Sequence, residues 1–421
     1  MKVLMLLGEV PVKYGGINAG GAAKVAWYVS KQLVNNGVEV FLYPLHDYSA
    51  EVIEGVEIIG RNKPLVIIKN WPVVSCVKQY VKSLKEYGFP QKYALRFGLS
   101  NCIQEKYIQK VIRRIKPDII HIHGISADRL FAIKMALRKK QIPLIVTLHG
   151  LIGFSPDTIA TTVPPMIEKR KKYEGKLLKK IIEDHPISVI TSVSSRITKK
   201  VVEAYGIPKN RIVTVLNGVS EEFSHPTSID KAFLRDKLEL PQGKKILLTV
   251  GTLSKRKNQI LVLKSLSELP ENIKKRITYV LVGDGPERKM LEDFAQKNGL
   301  KNMVIFKGKV FGQDLVDTYW ASDYFILTST SEALPLVFLE AMAAGLPVLT
   351  IESLEGVDDI FTGEAFILSK DYKPKSIALA IKEMLNKEWF REAIVEHAKS
   401  FSWDEIGKRY LEIYEDILWR T

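Results

Sequence analysis

Residues 324–351 read YFILTSTSEALPLVFLEAMAAGLPVLTI. The stretch opens with an apolar run, Tyr324–Leu327, and closes with another, Pro347–Ile351; between them lie a polar loop and an apolar helical segment, Pro335–Ala344. Short runs that are apolar without alternation are strands buried on both faces, and a helical crossover between them joins parallel neighbours. Proline at a first helical position and the free amides from Ala333 to Leu336 would make a ready site for phosphate. Glu332 precedes that helix and Glu340 lies about one and a half turns inside it, so both can point at one extended ligand without touching. Two carboxylates at different depths suit two hydroxylated rings, and an unpaired carboxylate inside an apolar run such as that around Glu340 is costly.

Outward from this segment the same rhythm recurs. The second half offers strands at Ile246–Val250, Tyr279–Val282 and Met303–Phe306, with helices at Gln259–Glu268 and Glu287–Asn298. In the first half the runs Val3–Leu7, Val38–Tyr43, Ile119–His123, Leu144–Thr147, Val189–Val193 and Ile212–Leu216 alternate with amphipathic segments such as Ala22–Asn35, Gln104–Ile115 and Asp128–Arg138. Strict alternation means a parallel sheet covered on both faces. A break around Glu221–Ser228 divides the chain into residues 1–220 and 221–400, two Rossmann-like doubly wound α/β domains. Ligands of such sheets bind beyond the carboxyl ends of the strands, so the expected site is a cleft between two facing domains. The helix at Trp403–Trp419, within residues 401–421, is expected to cross back to the first domain.

With 421 residues the chain exceeds one hydrophobic core and fits two domains of about 200 residues. Its 46% apolar and 26% charged residues exclude disorder and fibrous repeats. The start, Met1 to Glu9, reads as a buried strand rather than a signal peptide, and no apolar run reaches the length of a membrane span. Cys76 and Cys102 are expected as reduced core residues in a cytoplasmic protein. Residues 1–220 hold 34 Lys+Arg against 16 Asp+Glu, and residues 221–421 hold 28 against 31, so the whole net charge of +15 stems from the first half. Its clusters, Lys106 to Lys116, Arg138 to Lys140 and Lys169 to Lys180, suit an anionic partner: a membrane surface, an acidic acceptor or nucleic acid. For a membrane, Ile167, Leu177, Leu178 and Ile181 are candidates for shallow insertion.

The segment with Glu332 and Glu340, eight positions apart, resembles the two-glutamate motif of retaining glycosyltransferases of the GT-B fold, and of glycosyltransferase family 4 in particular. Other segments resemble that family in order: Val250–Asn258 its phosphate loop, Leu281–Pro286 its glycine turn, Val304–Val310 its base-pocket loop, and Val215–Val219 the end of its first domain. The resemblance implies a transfer of a sugar from a nucleoside diphosphate, a UDP-sugar, to a glycan, a lipid-linked acceptor or a small molecule. By it, the first domain binds acceptor and the second the nucleotide sugar. Glu332 would hold sugar hydroxyls, Glu340 the ribose hydroxyls, and Lys257 the diphosphate; Gly20, Gly21, Gly251, Val310, Ala333, Leu334, Pro335 and Leu336 would line the donor. The family commonly has arginine where Thr252 stands, so Arg256 is expected to compensate, and Leu334-Pro335 replaces an aromatic-glycine pair.

Glycines 15, 16, 20 and 21 follow the first strand, where they let backbone approach a ligand. The spacing of a dinucleotide fingerprint is absent. The resemblance puts this loop between acceptor and donor phosphate, with Tyr14, Gly16 and Asn18, together with His123, on the acceptor side. It puts His149 beside the donor sugar; His121 reads as a core residue. His121 and His123 have no third metal ligand at an obvious spacing, and no Asp-x-Asp triplet occurs, so neither metal nor cofactor is expected. Catalysis would then rest on His149, Arg256, Lys257 and Glu332, with lysine, arginine and a helix dipole neutralising the leaving group. A nucleotide-sugar 2-epimerase on the same fold would need acid-base carboxylates that are not identifiable. A nucleic-acid-binding protein would leave the glutamate pair and phosphate loop without a role.

Overall fold

The computed structural model describes residues 1–8, 21–45, 49–60, 77–78, 80–81, 91–124, 127–138, 140–151, 164–224 and 230–420. Tyr14, Gly16, Asn18 and Gly20 lie outside them, as do Cys76, Lys139 and residues 225–228 of the expected linker. The chain forms two compact units, residues 1–216 with 406–421, and residues 217–405. The boundaries expected at 220/221 and 400/401 stand within five residues of these.

In the first unit the strands are β1 (Lys2–Leu7), β2 (Glu39–Pro44), β3 (Glu51–Ile53), β4 (Val56–Ile58), β5 (Ile119–His123), β6 (Leu144–Leu148), β7 (Val189–Ser192) and β8 (Ile212–Thr214). They form one sheet in the order β3-β4-β2-β1-β5-β6-β7-β8, parallel throughout except for the β3–β4 hairpin. Every residue of β5, β6 and β7 is buried, which is why these strands read as unbroken apolar runs. The hairpin turns through Glu54 and Gly55, both at positive φ, the backbone a tight two-residue turn demands. Its strands are too short and too charged to announce themselves in sequence. Helices α1 (Gly21–Asn35), α2 (Gln91–Ile115), α3 (Ala127–Leu137), α4 (Pro164–Asp184) and α5 (Ser195–Tyr205) connect the strands. Ser194 caps α5 by accepting from the Ile197 amide, and Gly206 ends it in the left-handed conformation. Helix α2 begins well before the expected Gln104. Cys102, within it, is buried and disulfide-bonded, which corrects the expectation of two reduced core cysteines.

In the second unit, β9 (Lys245–Val250), β10 (Ile277–Val282), β11 (Val304–Gly308), β12 (Tyr324–Ile326), β13 (Val348–Ile351) and β14 (Phe366–Ser369) form a fully parallel sheet in the order β11-β10-β9-β12-β13-β14. Alternate residues of β10, Ile277, Tyr279 and Leu281, join Leu247, Ile326 and Leu349 in one apolar core. The helices are α6 (Lys231–Lys237), α7 (Gln259–Ser267), α8 (Glu271–Lys274), α9 (Arg288–Lys297), α10 (Gly312–Ala321), α11 (Leu336–Ala343), α12 (Pro374–Asn386) and α13 (Arg391–Lys399). A last helix, α14 (Trp403–Trp419), starts in this unit and continues into the first, where Tyr410, Ile413, Tyr414 and Ile417 are buried.

Candidate functional site

The second sheet reverses its winding between β9 and β12, the place where doubly wound sheets bind ligands. The loop after β9, residues 251–258, and the loop after β12, residues 327–335, meet there. They are tied by one backbone and two side-chain hydrogen bonds: Thr330 N donates to Arg256 O (2.8 Å), Asn258 Nδ2 to Thr328 O (3.2 Å) and Thr328 Oγ1 to Asn258 O (2.9 Å). The loops after β10 and β11 join them, with Gly251 N donating to Val282 O and Gly283 N to Gly308 O. Gly283 sits at φ 132°, and a Cβ there would lie 2.0 Å from Gly251 O, so only glycine lets these two turns touch. Val310 follows β11, partly exposed.

On this scaffold Arg256 and Lys257 converge on one carboxylate. Arg256 Nη1 donates to Glu332 Oε1 (2.7 Å) and to Ser331 O (2.9 Å), and Lys257 Nζ lies 2.7 Å from the same Oε1. The Glu332 side chain is 10% exposed and that of Lys257 12%. Burial pushes the Glu332 carboxyl up, but Lys257 and then Arg256 outweigh it and hold the group below its ordinary range. Arg256 and Lys257 thus bring two cations to one partly desolvated place, where an anion is strongly attracted. The Lys257 stem runs beside Gly251, which at φ 152° could not carry a side chain without strain.

Glu340 lies one helix deeper. It is buried, and Tyr319 Oη donates to its Oε2 at 2.7 Å. Tyr319, fully buried between Phe223 and Phe325, is a residue the sequence reading missed; a tyrosine in an amphipathic helix gives no local signal of a carboxylate partner. Asn217, also missed, donates from Nδ2 to Leu334 O (2.8 Å) and fixes the loop entering α11. Ala333 and Leu336 are partly exposed beside Glu332, whereas the Leu334 side chain is buried. Pro335 is the N-cap of α11 in extended conformation, not the first helical residue as expected; helical geometry starts at Leu336.

In the first unit, β1 lies at the corresponding reversal, between β2 and β5. Gly21 opens α1. His149 follows β6 and is partly exposed, with Nε2 3.1 Å from His123 Nδ1. His123, expected on the acceptor side, is 1% exposed with both ring nitrogens engaged, its Nε2 lying 3.3 Å from His121 Nδ1. Among its described hydrogen-bond partners, His149 is the one that is partly exposed. Burial lowers the pKa of His149 to about 4 and holds His121 and His123 well below the ordinary imidazole value. The basic face of α4 exposes Lys172, Lys176, Lys179 and Lys180, but Leu177, Leu178 and Ile181 are buried in the core and unavailable for membrane insertion. The side chain of Ile167 lies outside the described set. Among the described residues no helix is long and apolar enough to cross a membrane.

Residues 19–223 match the family model for Glycosyltransferase Family 4, and residues 230–401 match that for Glycosyl transferases group 1. The chain belongs to the family 4 glycosyltransferases. Its fold is GT-B. An uncharacterized glycosyltransferase of Methanocaldococcus jannaschii is 29% identical over 236 residues, 54% of this chain and 59% of that protein, so the match spans less than two thirds of that relative. The D-inositol 3-phosphate glycosyltransferase of Corynebacterium urealyticum is 28% identical over an alignment of 437 positions, covering 99% of this glycosyltransferase and 96% of the relative. The crystal structure of Anabaena HepE in complex with UDP superposes with a TM-score of 0.69 at 19% identity, covering 98% of this chain and 99% of that one.

Proposed function

We propose that this glycosyltransferase is a retaining, metal-independent enzyme using a UDP-sugar as donor. The observation that carries the reading is the Arg256–Glu332–Lys257 triad at the reversal of the second sheet. In this reading the diphosphate takes over the two cations and Glu332 turns to the sugar hydroxyls. Glu340, already oriented by Tyr319, accepts from the ribose hydroxyls, and Gly251, Val310 and residues 333–336 line the donor. The UDP held by the similar HepE structure supports the choice of nucleotide. As the bond from the anomeric carbon to the diphosphate breaks, an acceptor hydroxyl attacks from the same face, and its proton passes to the departing phosphate oxygen. No protein nucleophile is needed, and catalysis is positioning and electrostatic stabilisation.

For the acceptor, the loop with Tyr14, Gly16 and Asn18 remains the proposed contact, and the class is a glycan, a lipid-linked acceptor or an anionic small molecule. The D-inositol 3-phosphate of the corynebacterial relative's name is consistent with an anionic acceptor. Peripheral attachment to an anionic membrane would work through the exposed Arg138 and Lys140 and the exposed lysines of α4, each worth about 1 kcal/mol near such a surface. The test of the donor reading is a panel of UDP-, GDP- and ADP-sugars read by thermal stabilisation and nucleotide release. Stabilisation and turnover confined to a UDP-sugar are expected; preference for a GDP- or ADP-sugar would overturn the choice of base.

A further inference from the structure

The opposite end of the second sheet carries a charged grouping that the reaction outlined above does not use. Asp323 stands just before β12, and its amide donates to Ile246 O of β9 (3.0 Å) while its Oδ2 accepts from the Ile246 amide (2.7 Å). The carboxylate is thus fixed at the amino ends of the two central strands. The donor loops leave the carboxyl ends, roughly 20 Å away along a strand of six residues. Four cations reach Asp323: Arg235 Nη2 at 2.7 Å, Lys231 Nζ at 2.9 Å, Arg391 Nη2 at 3.7 Å and Lys245 Nζ at 4.0 Å. Among the described residues no other carboxylate lies within 4.0 Å of any of them. The neighbouring Asp230 is turned instead to the Phe233 amide, at 2.9 Å.

Arg235 belongs to the fold. Its side chain is 9% exposed, and its guanidinium is filled by Asp323, by Ala321 O (3.0 Å) and by Lys244 O (3.0 Å). Together with the Ile246 amide it satisfies the buried carboxylate. The other three cations are surplus to that task and keep open donors at the surface, with 30% of the Lys231, 31% of the Arg391 and 53% of the Lys245 side chain exposed. Tyr324, the next residue, is 7% exposed, yet its hydroxyl has no hydrogen-bond partner among the described residues. Arg391 and Arg276, which precedes β10, both act on that phenol, so the cationic environment extends to it. Burial, and then Arg391, push the Lys231 ammonium down to about 8 in spite of Asp323, with Arg235 adding to the effect. An incoming dianion would relieve that repulsion. We infer that Lys231, Lys245 and Arg391 hold the dianionic phosphate group of a soluble small molecule, at a site separate from the donor loops. Two of the three cations expose less than a third of their side chains, which favours a small ion over a flat bilayer.

The test is calorimetry on the whole protein with inorganic phosphate as the probe. Phosphate also suits Arg256 and Lys257, so Lys257→Ala is titrated beside the native protein. A saturable site should remain in Lys257→Ala and weaken about ten-fold in Lys231→Met with Lys245→Ala, the loss of two charged contacts from partly exposed groups. Lys245→Ala alone leaves the closer Asp323 pairs intact and should weaken binding about three-fold, which keeps the test sound if the double variant folds poorly. Sulfate, a dianion that does not titrate in this range, gives a second reading. At pH 8 its binding should take up about half a proton, because the anion restores charge to a Lys231 that is half neutral there, and at pH 6.5 almost none. Phosphate binding that vanishes in Lys257→Ala, that persists unchanged in both lysine variants, or that proceeds with no proton uptake at pH 8 overturns the inference. Binding to phosphatidylglycerol vesicles that falls in the lysine variants while phosphate binding does not would assign these cations to a lipid surface and overturn it as well.

Discussion

Two polar groupings lie at the carboxyl ends of parallel strands, one in each sheet, and they solve burial in opposite ways. In the second unit the buried Glu332 carboxyl is held ionised by Lys257 and Arg256. In the first, three imidazoles held neutral by burial and four hydroxyls form one connected row of hydrogen bonds. Charge serves where a ligand brings charge, because a desolvated cation stabilises a leaving phosphate far more than an exposed one. A neutral imidazole both donates and accepts, so a buried row of rings and hydroxyls finds partners without carrying charge.

Removing the charges should have the largest effect. The double change Arg256→Ala with Lys257→Ala should lower kcat/KM by a factor on the order of 100 to 1000, the scale of lost transition-state stabilisation. Lys172→Ala with Lys176→Ala on the exposed face of α4 is the control and should change it less than about two-fold; similar losses from both pairs would point to general instability. Next in size is Glu340→Ala, which removes a charged acceptor worth about 1.5–3 kcal/mol. Calorimetry should show UDP binding weakened correspondingly, and unchanged affinity would remove Glu340 from the ribose.

Acidification should separate the two units. A buried histidine with a folded pKa near 4 takes up its proton in the unfolded chain from about pH 6.5 downward, so stability falls as pH drops between 6.5 and 4. Glu332 has the same sign in a lower window: its folded pKa is depressed, so its contribution persists above the ordinary carboxylate value of 4.5 and is lost only below it. Hydrogen exchange at pH 5.5 against pH 7.5 should therefore show loosening around β5, β6 and α14 before the loops after β9 and β12. Simultaneous loosening would contradict the assignment of neutral and charged environments. The smallest effect concerns membranes: with Leu177, Leu178 and Ile181 buried, binding to anionic vesicles should be purely electrostatic and vanish at high salt. Salt-resistant binding would require an apolar anchor elsewhere.

The charged site was far more legible in the sequence than the neutral one. Glu332, Glu340, Arg256 and Lys257 stand in short segments next to apolar strands, so local spacing sufficed to bring them together. The alternation that located β1, β5, β6, β9, β10 and β13 works because buried parallel strands are apolar at every position. It fails for β3 and β4, where alternate residues are charged, and it missed β14, a four-residue strand at the sheet edge. The histidine row was illegible for another reason: Tyr410 and Tyr414 meet His121 across almost 300 residues of chain, and only the fold brings them together. Even so, His121-x-His123 on a strand and Tyr410-x-x-x-Tyr414 on a helix each put two polar aromatics on one face, a pattern that calls for a buried partner.

The most direct test of the charge-based reaction is turnover of the UDP-sugar in excess EDTA, measured as UDP release by the native protein and by Lys257→Ala. The expected result is a native rate indifferent to chelation and a variant whose lost rate magnesium or manganese does not restore. A native rate abolished by EDTA and recovered with either ion would mean that a metal, and not Arg256 and Lys257, carries the leaving diphosphate.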